Sequence, residues 1–339
     1  MSGAAPSPDT VLLAAGEARA LAARVVRRAG YSDEESQVIA ASLLDAELCG
    51  YPALGLARSI TIAEDERTRA PRKPVTIVHE TPVSAQIDGG GYAGVYSLNR
   101  AVEVALAKAR DKGFAIVGLH NSYFSGRNAY YVETIARAGF VAIHTASSEP
   151  YVAPLGGKEC AFGTNPVAIG LPGDPDPCLF DMGTSAITRG EVVLAARLGE
   201  LLPAGVALDA AGLPTRDAAA ALAGAILPFG GTQAHKGYGL AFMIQALGLL
   251  GGTGRSEGRA RHFGFLFIVF DPSLLMPAAL FRAQLAELIA AVKATPRQPG
   301  VDAIRIPSER AFAERAQRLR EGVVLERRLH QRLLVLGAT

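Results

Sequence analysis

Asp181, Thr184 and Ser185 place a carboxylate and two hydroxyls in one short turn, directly after the apolar run Cys178-Leu179-Phe180. That run reads as a strand, and strand ends are where folds present reactive groups. Upstream, Gly156-Gly157 and Gly163-Thr164-Asn165-Pro166 are tight-turn chemistry, where the backbone bends sharply or lets a ligand approach. Further on, His235-Lys236-Gly237 offers an ammonium that can meet a phosphate as a point charge, although alone it reads as a solvated turn. His79, His120, His144, His262 and His330 show no metal-ligand spacing and read as structural or solvated. His120 is set apart because it adjoins the loop Asn121-Ser122-Tyr123-Phe124.

Gly89, Gly91 and Gly94 fit the G-x-G-x-x-G pattern, with a strand expected before them and a helix after. No acid suited to a ribose ends a second strand at the required distance, since Asp111-Lys112 closes a helix. The pattern is therefore read as a β-turn entering a helix.

These groups need positioning elements. Residues 10–48 read as two amphipathic helices, the first ending near Ala29-Gly30. The second starts at Ser32, with Glu35 completing a capping box. Strands are expected at 75–88, 116–120, 140–146, 165–172 and 263–271. Helices are expected at 97–112, 129–138, 192–204, 236–251, 278–294 and 308–321. The segment 204–217 is turn-rich, and the glycine-rich, basic stretch 251–261 reads as a mobile loop.

The chain has 339 residues, 49% of them hydrophobic and 19% charged, which fits an ordinary folded globular protein and argues against a disordered one. A net charge of +2 gives no basis for binding nucleic acid or an anionic membrane. Three widely spaced cysteines, Cys49, Cys160 and Cys178, make neither a disulfide framework nor a zinc site, and a reducing cytoplasm is the expected compartment. The start MSGAAPSPDT lacks the features of a signal peptide, and no apolar run reaches membrane-spanning length.

Three blocks, in this order and spacing, resemble the type-2 malate/L-lactate dehydrogenase family: GTNP at 163–166 with DMGTS at 181–185, LPFGGTQAHKGYGLA at 227–241, and IRIPSERAFAERAQRLREGVVL at 304–325. The resemblance covers nearly the whole chain. It implies a mixed-sheet, non-Rossmann α/β fold with N-terminal and C-terminal helices, a homodimer, and reduction of a small carboxylate substrate with NADP or NAD. The expected divisions are an N-terminal helical segment at 1–74, a cofactor and substrate core at 75–270, and a C-terminal helical return at 271–339.

The resemblance also assigns residues. Cys178, Leu179, Phe180, Asp181, Met182, Gly183, Thr184 and Ser185 match the strand end that lies along the cofactor. His235-Lys236 and Ser308-Glu309 match two further cofactor contacts. Ser308 stands where the family has glycine, so a special backbone angle is expected to be lost there. Arg58 would clamp a substrate carboxylate, with Thr164 and Asn165 lining the same pocket.

The departures matter most. The family's catalytic Ser-His pair is Ala53-Leu54 here, its second histidine is Phe124, and its Arg-Gly-Lys is Arg189-Gly190-Glu191. Leucine can neither give nor take a proton. Three readings follow. The enzyme reduces a C=N bond, whose protonated form needs no such acid. Tyr51 or Tyr123, beside the lost positions, supplies the acid instead. Or the chain is a non-redox descendant acting as a binding protein or on a different reaction. The first is preferred, and the two tyrosines are otherwise packing residues.

Overall fold

The computed structural model describes residues 9–338, so most of the MSGAAPSPDT reading lies outside the described residues. The chain divides into two compact units, one of residues up to 72 together with 308 onward, the other of residues 73–307.

The first unit begins with strand β1 (Thr10–Leu13) and helices α1 (Ala15–Arg28) and α2 (Asp33–Leu48). Ser32 caps α2 as expected, accepting from Glu35 N at 3.2 Å while its own N–H donates to Glu35 Oε2 at 2.8 Å. Helices α3 (Ala57–Glu64) and α4 (Glu66–Arg69) follow.

The second unit holds β2 (Thr76–Thr81), β3 (Ser84–Asp88), α5 (Gly94–Lys112), β4 (Phe114–His120), α6 (Ala129–Arg137), β5 (Val141–Ser147), β6 (Val167–Leu171) and β7 (Cys178–Met182). Then come α7 (Arg189–Leu198), β8 (Ala207–Leu208), β9 (Pro214–Thr215), α8 (Ala218–Ala223), β10 (Ala225–Ile226), α9 (Ala234–Gly251), β11 (Gly264–Phe270) and α10 (Ala278–Lys293). This unit takes in α10, which the sequence reading grouped with the C-terminal return. Its main sheet has the order β2-β3-β4-β11-β5-β6-β7, and only β3 and β4 run parallel. That is the mixed sheet the family resemblance implies, with α5 as the crossover. β11 reads as an apolar run because it is central, paired to β4 on one side and β5 on the other. A Cβ on Gly264 would sit 2.1 Å from Gly248 O, so α9 lies hard against the start of β11.

α7 departs from its expected span. The capping box of Thr188 and Glu191 starts it early, and Gly199, at φ +74°, stops it. The stretch read as a mobile loop carries tethers: Thr253 Oγ1 bonds Gly248 O at 2.8 Å and Arg259 grips Glu149.

The chain closes the first unit with α11 (Glu309–Glu321), β12 (Val323–Glu326) and α12 (Arg327–Ala338). β1 pairs antiparallel with β12, Thr10 opposite Glu326, a pairing invisible in either four-residue segment alone. Among the described residues no helix is long and apolar enough to cross a membrane.

Candidate active site

In the first unit, α2 runs out at Leu48 and the chain turns through Gly50, Tyr51 and the 3-10 turn Pro52–Leu54 into α3. A buried carboxylate holds this turn. Glu47, 2% exposed, accepts the Leu56 N–H at 2.9 Å. A Cβ on Gly55 would lie 2.2 Å from Glu47 Oε2, so only glycine lets the turn close on it. Burial pushes the Glu47 carboxyl above its ordinary range, against the Leu56 bond and the Arg318 charge. Sequence reasoning missed Glu47. Its only signal is an acid within an otherwise apolar helix face.

Leu54 is partly exposed and Arg58 largely buried on α3. Tyr51 is 37% exposed, with the Arg310 guanidinium 5.1 Å from its ring centroid. That contact brings Tyr51 beside the start of α11, where Ser308 and Glu309 lie. One expectation is overturned here. Ser308 keeps the left-handed backbone, at φ +71°, although it replaces glycine. Its carbonyl still accepts the Phe312 N–H at 2.9 Å, so the helix start dictates the angle and serine carries the strain.

In the second unit the loop after β4 is also strained, with Asn121 at φ +50° and Phe124 at φ +60°. Tyr123 is 2% exposed, and its carbonyl accepts the Gly94 N–H at 2.6 Å. The glycine fingerprint is filled by this loop. The N–H groups of Gly89 and Gly91 donate to His120 O and Asn121 O, each at 2.8 Å. A Cβ on Gly94 would meet Phe124 O at 2.6 Å. The amides that would cradle a pyrophosphate already have protein carbonyls, so a dinucleotide phosphate does not fit there. His120 is occupied too: Nδ1 lies 3.2 Å from Gln86 Nε2, and burial lowers its pKa despite Asp88 nearby.

Asp181 has a defined place. Its Oδ2 accepts the Ala129 N–H at 2.8 Å, capping α6, whose Asn128 makes no side-chain cap. Burial raises its pKa, with the Ala129 and Asn128 amides and the Arg127 charge opposing. The neighbouring segments interlock. Thr184 N and Oγ1 donate to Thr164 O at 2.9 and 3.2 Å, and Oγ1 also reaches Asn165 O at 3.1 Å. Asn165, fully buried, donates through Nδ2 to Ala241 O and Gln245 Oε1 of α9, each at 3.0 Å. Ser185 Oγ donates to Ile187 O at 2.7 Å. Phe229 N donates to Thr184 O at 2.9 Å, which ties the 181–185 turn to the chain entering α9.

Along β7, Leu179 is fully buried, Phe180 is 39% exposed, and Cys178, Met182 and Gly183 are partly exposed. His235 and Lys236 are exposed on the first turn of α9, and its N-cap, Gln233, contributes no side-chain cap. The 3-10 turn Gly231–Gln233 runs into α9 and takes up its leading amides, with Gln233 N bonded to Gly230 O and Ala234 N to Gly231 O, so it is the exposed Lys236 ammonium that suits a phosphate, and the residues present fit a nicotinamide dinucleotide.

A mixed-sheet α/β unit whose glycine turn is filled by protein carbonyls is not a Rossmann dinucleotide fold. Residues 13–334 match the malate/L-lactate dehydrogenase family, and the chain belongs to it. It is therefore an oxidoreductase of a family that works with NAD(P)H. It is 38% identical to L-sulfolactate dehydrogenase of Methanothermobacter thermautotrophicus over 89% of each chain. It is 33% identical to a Δ1-pyrroline-2-carboxylate/Δ1-piperideine-2-carboxylate reductase of Pseudomonas aeruginosa, covering 94% of this chain and 97% of that one. The sulfolactate dehydrogenase structure from Methanocaldococcus jannaschii superposes with a TM-score of 0.83 at 32% identity over 97% of each chain.

Proposed function

We propose that this protein reduces a small carboxylate substrate with NADPH or NADH, taking a C=N bond of a cyclic imine ahead of a 2-oxo acid. The observation that carries the preference is Leu54, an apolar side chain on the turn where the family resemblance expects the proton donor. A ketone accepting hydride becomes an alkoxide that needs a proton. A protonated imine accepting hydride becomes a neutral amine directly. Relatives named as Δ1-pyrroline-2-carboxylate reductases support the same preference.

When bound, the nicotinamide supplies the hydride. Lys236 would hold a phosphate, with 178–185, His235, Ser308 and Glu309 as further cofactor contacts. Arg58, Thr164 and Asn165 are proposed on the substrate side. Of the two phenols, Tyr51 is the accessible one and Tyr123 is buried, which makes Tyr51 the better substitute acid. A homodimer fits the apolar side chains that α9 leaves exposed, Phe242 at 54%, Met243 at 59%, Leu249 at 65% and Leu250 at 66%. The cytoplasm is the proposed compartment.

The test is NADPH and NADH oxidation with Δ1-pyrroline-2-carboxylate, Δ1-piperideine-2-carboxylate, oxaloacetate and pyruvate. Faster imine turnover supports the reading. Faster oxo-acid turnover refutes the preference. Cofactor binding with no turnover of any substrate favours the non-redox descendant.

A further inference from the structure

Arg189 is the first residue of α7, directly behind the 181–185 turn. Its guanidinium lies over the Tyr151 ring, 4.7 Å from the centroid. Burial lowers its pKa, with Tyr151, Cys160 and Glu149 opposing and the Arg259 charge adding to the fall. A cation at a helix N-terminus also sits at the positive end of the dipole, so burial, the dipole and Arg259 together leave this guanidinium in need of negative charge.

Glu149 acts on it through space and Glu191 lies two residues along the chain, and both are bonded elsewhere. Glu191 turns back to Thr188, accepting from its N–H at 2.8 Å and its hydroxyl at 2.7 Å. Glu149, its side chain 4% exposed, takes the Arg259 fork on both oxygens and the Tyr151 hydroxyl as well. Among the described residues no carboxylate lies within ion-pairing reach of Arg189. The Tyr151 ring covers one face of the guanidinium, while its edge donors remain for a ligand. With Arg259 beside it, the cluster carries two guanidinium groups against one carboxylate, a balance that suits a phosphate better than a monocarboxylate.

The geometry points to Arg189, seated on Tyr151, as the site for a phosphate group of the nicotinamide cofactor. This rests on the oxidoreductase reading above. Two phosphates share the chemistry: the ribose 2′-phosphate of NADPH, and the pyrophosphate common to NADPH and NADH.

The experiment is calorimetric titration of the full-length protein and its Arg189→Gln and Arg189→Lys variants with NADPH and with NADH, each variant first checked for a wild-type melting curve. Arg189→Gln should weaken NADPH on the order of 10- to 100-fold, the worth of a hydrogen bond to a charged group. Arg189→Lys should recover part of the loss. NADH binding left unchanged identifies the 2′-phosphate, and an equal loss for both cofactors identifies the pyrophosphate. Unaltered affinity for both in Arg189→Gln overturns the inference and leaves the function standing. A wild-type protein that binds neither cofactor overturns both.

Discussion

Alanine at Gly55 tests whether the buried carboxylate of Glu47 holds the turn that carries Leu54 and Arg58. The added Cβ would sit 2.2 Å from Glu47 Oε2 and 3.0 Å from its Cβ and Cδ, and Glu47 is 2% exposed, so the side chain has nowhere to retreat. The Leu56 N–H then loses its 2.9 Å acceptor in a buried setting. A buried hydrogen bond to a carboxyl group is worth about 1.5–3 kcal/mol, and the steric push adds to it, so a loss of about 2–4 kcal/mol is expected. At about 2–4 °C per kcal/mol, the figure for domains of about 150–250 residues, the melting temperature should fall by at most roughly 4–16 °C. The assay is thermal denaturation of Gly55→Ala, Glu47→Ala and the double variant. Because both substitutions break the same contact, Gly55→Ala should cost no more than about 0.5 kcal/mol once Glu47 is alanine. A Gly55→Ala protein that melts with wild type, or full additivity in the double variant, refutes the reasoning.

Leu54→His should raise kcat/KM for 2-oxo acids by about 10²–10⁴, the usual worth of a general acid, with imine reduction little changed; equal effects on both substrates would contradict the C=N preference. His144 is fully buried, bonds Leu266 O through Nδ1 at 3.1 Å, and has its pKa lowered by burial from 6.5 to about 4. The folded state therefore resists protonation, so stability is complete above pH 6.5 and falls by about 3 kcal/mol as pH drops toward 4, a slope that His144→Phe should flatten in urea titrations. Ser308→Gly should stabilise by about 0.5–1 kcal/mol by relieving the left-handed strain, and a destabilised variant would show that serine is at ease there. Asp181→Ala should cost about 1–2 kcal/mol through the uncapped α6, with amide exchange rising first at Asn128 and Ala129.

Much of this architecture is legible locally. The Ser32–Glu35 capping box, the stop at Ala29-Gly30 and the apolar run of β11 each depend on residues a few positions apart. The same holds for the turn chemistry of Gly163–Pro166, whose carbonyls do receive Thr184. Less was legible at the site. Asp181, matched by resemblance to the cofactor strand end, caps α6 from 52 positions away, a partner no local pattern announces. Tyr123, for which packing is the preferred reading beside a role as substitute acid, is buried, and Glu47 gave almost no signal. β1 and β12 were missed because neither segment has a pattern of its own until the chain ends meet.

By itself the sequence determined the family, most of the helices and the main-sheet strands with their order, and the leucine and phenylalanine at 54 and 124, because periodicity, capping and residue identity are properties of neighbouring positions. Tertiary structure decided what each polar group is free to do. Folding spends the amides of Gly89, Gly91 and Gly94 on the carbonyls of residues 120–123, holds Ser308 in a glycine conformation, and occupies both acids beside Arg189. A buried donor or acceptor must find a partner, and which partner it finds depends on chain segments far apart in sequence.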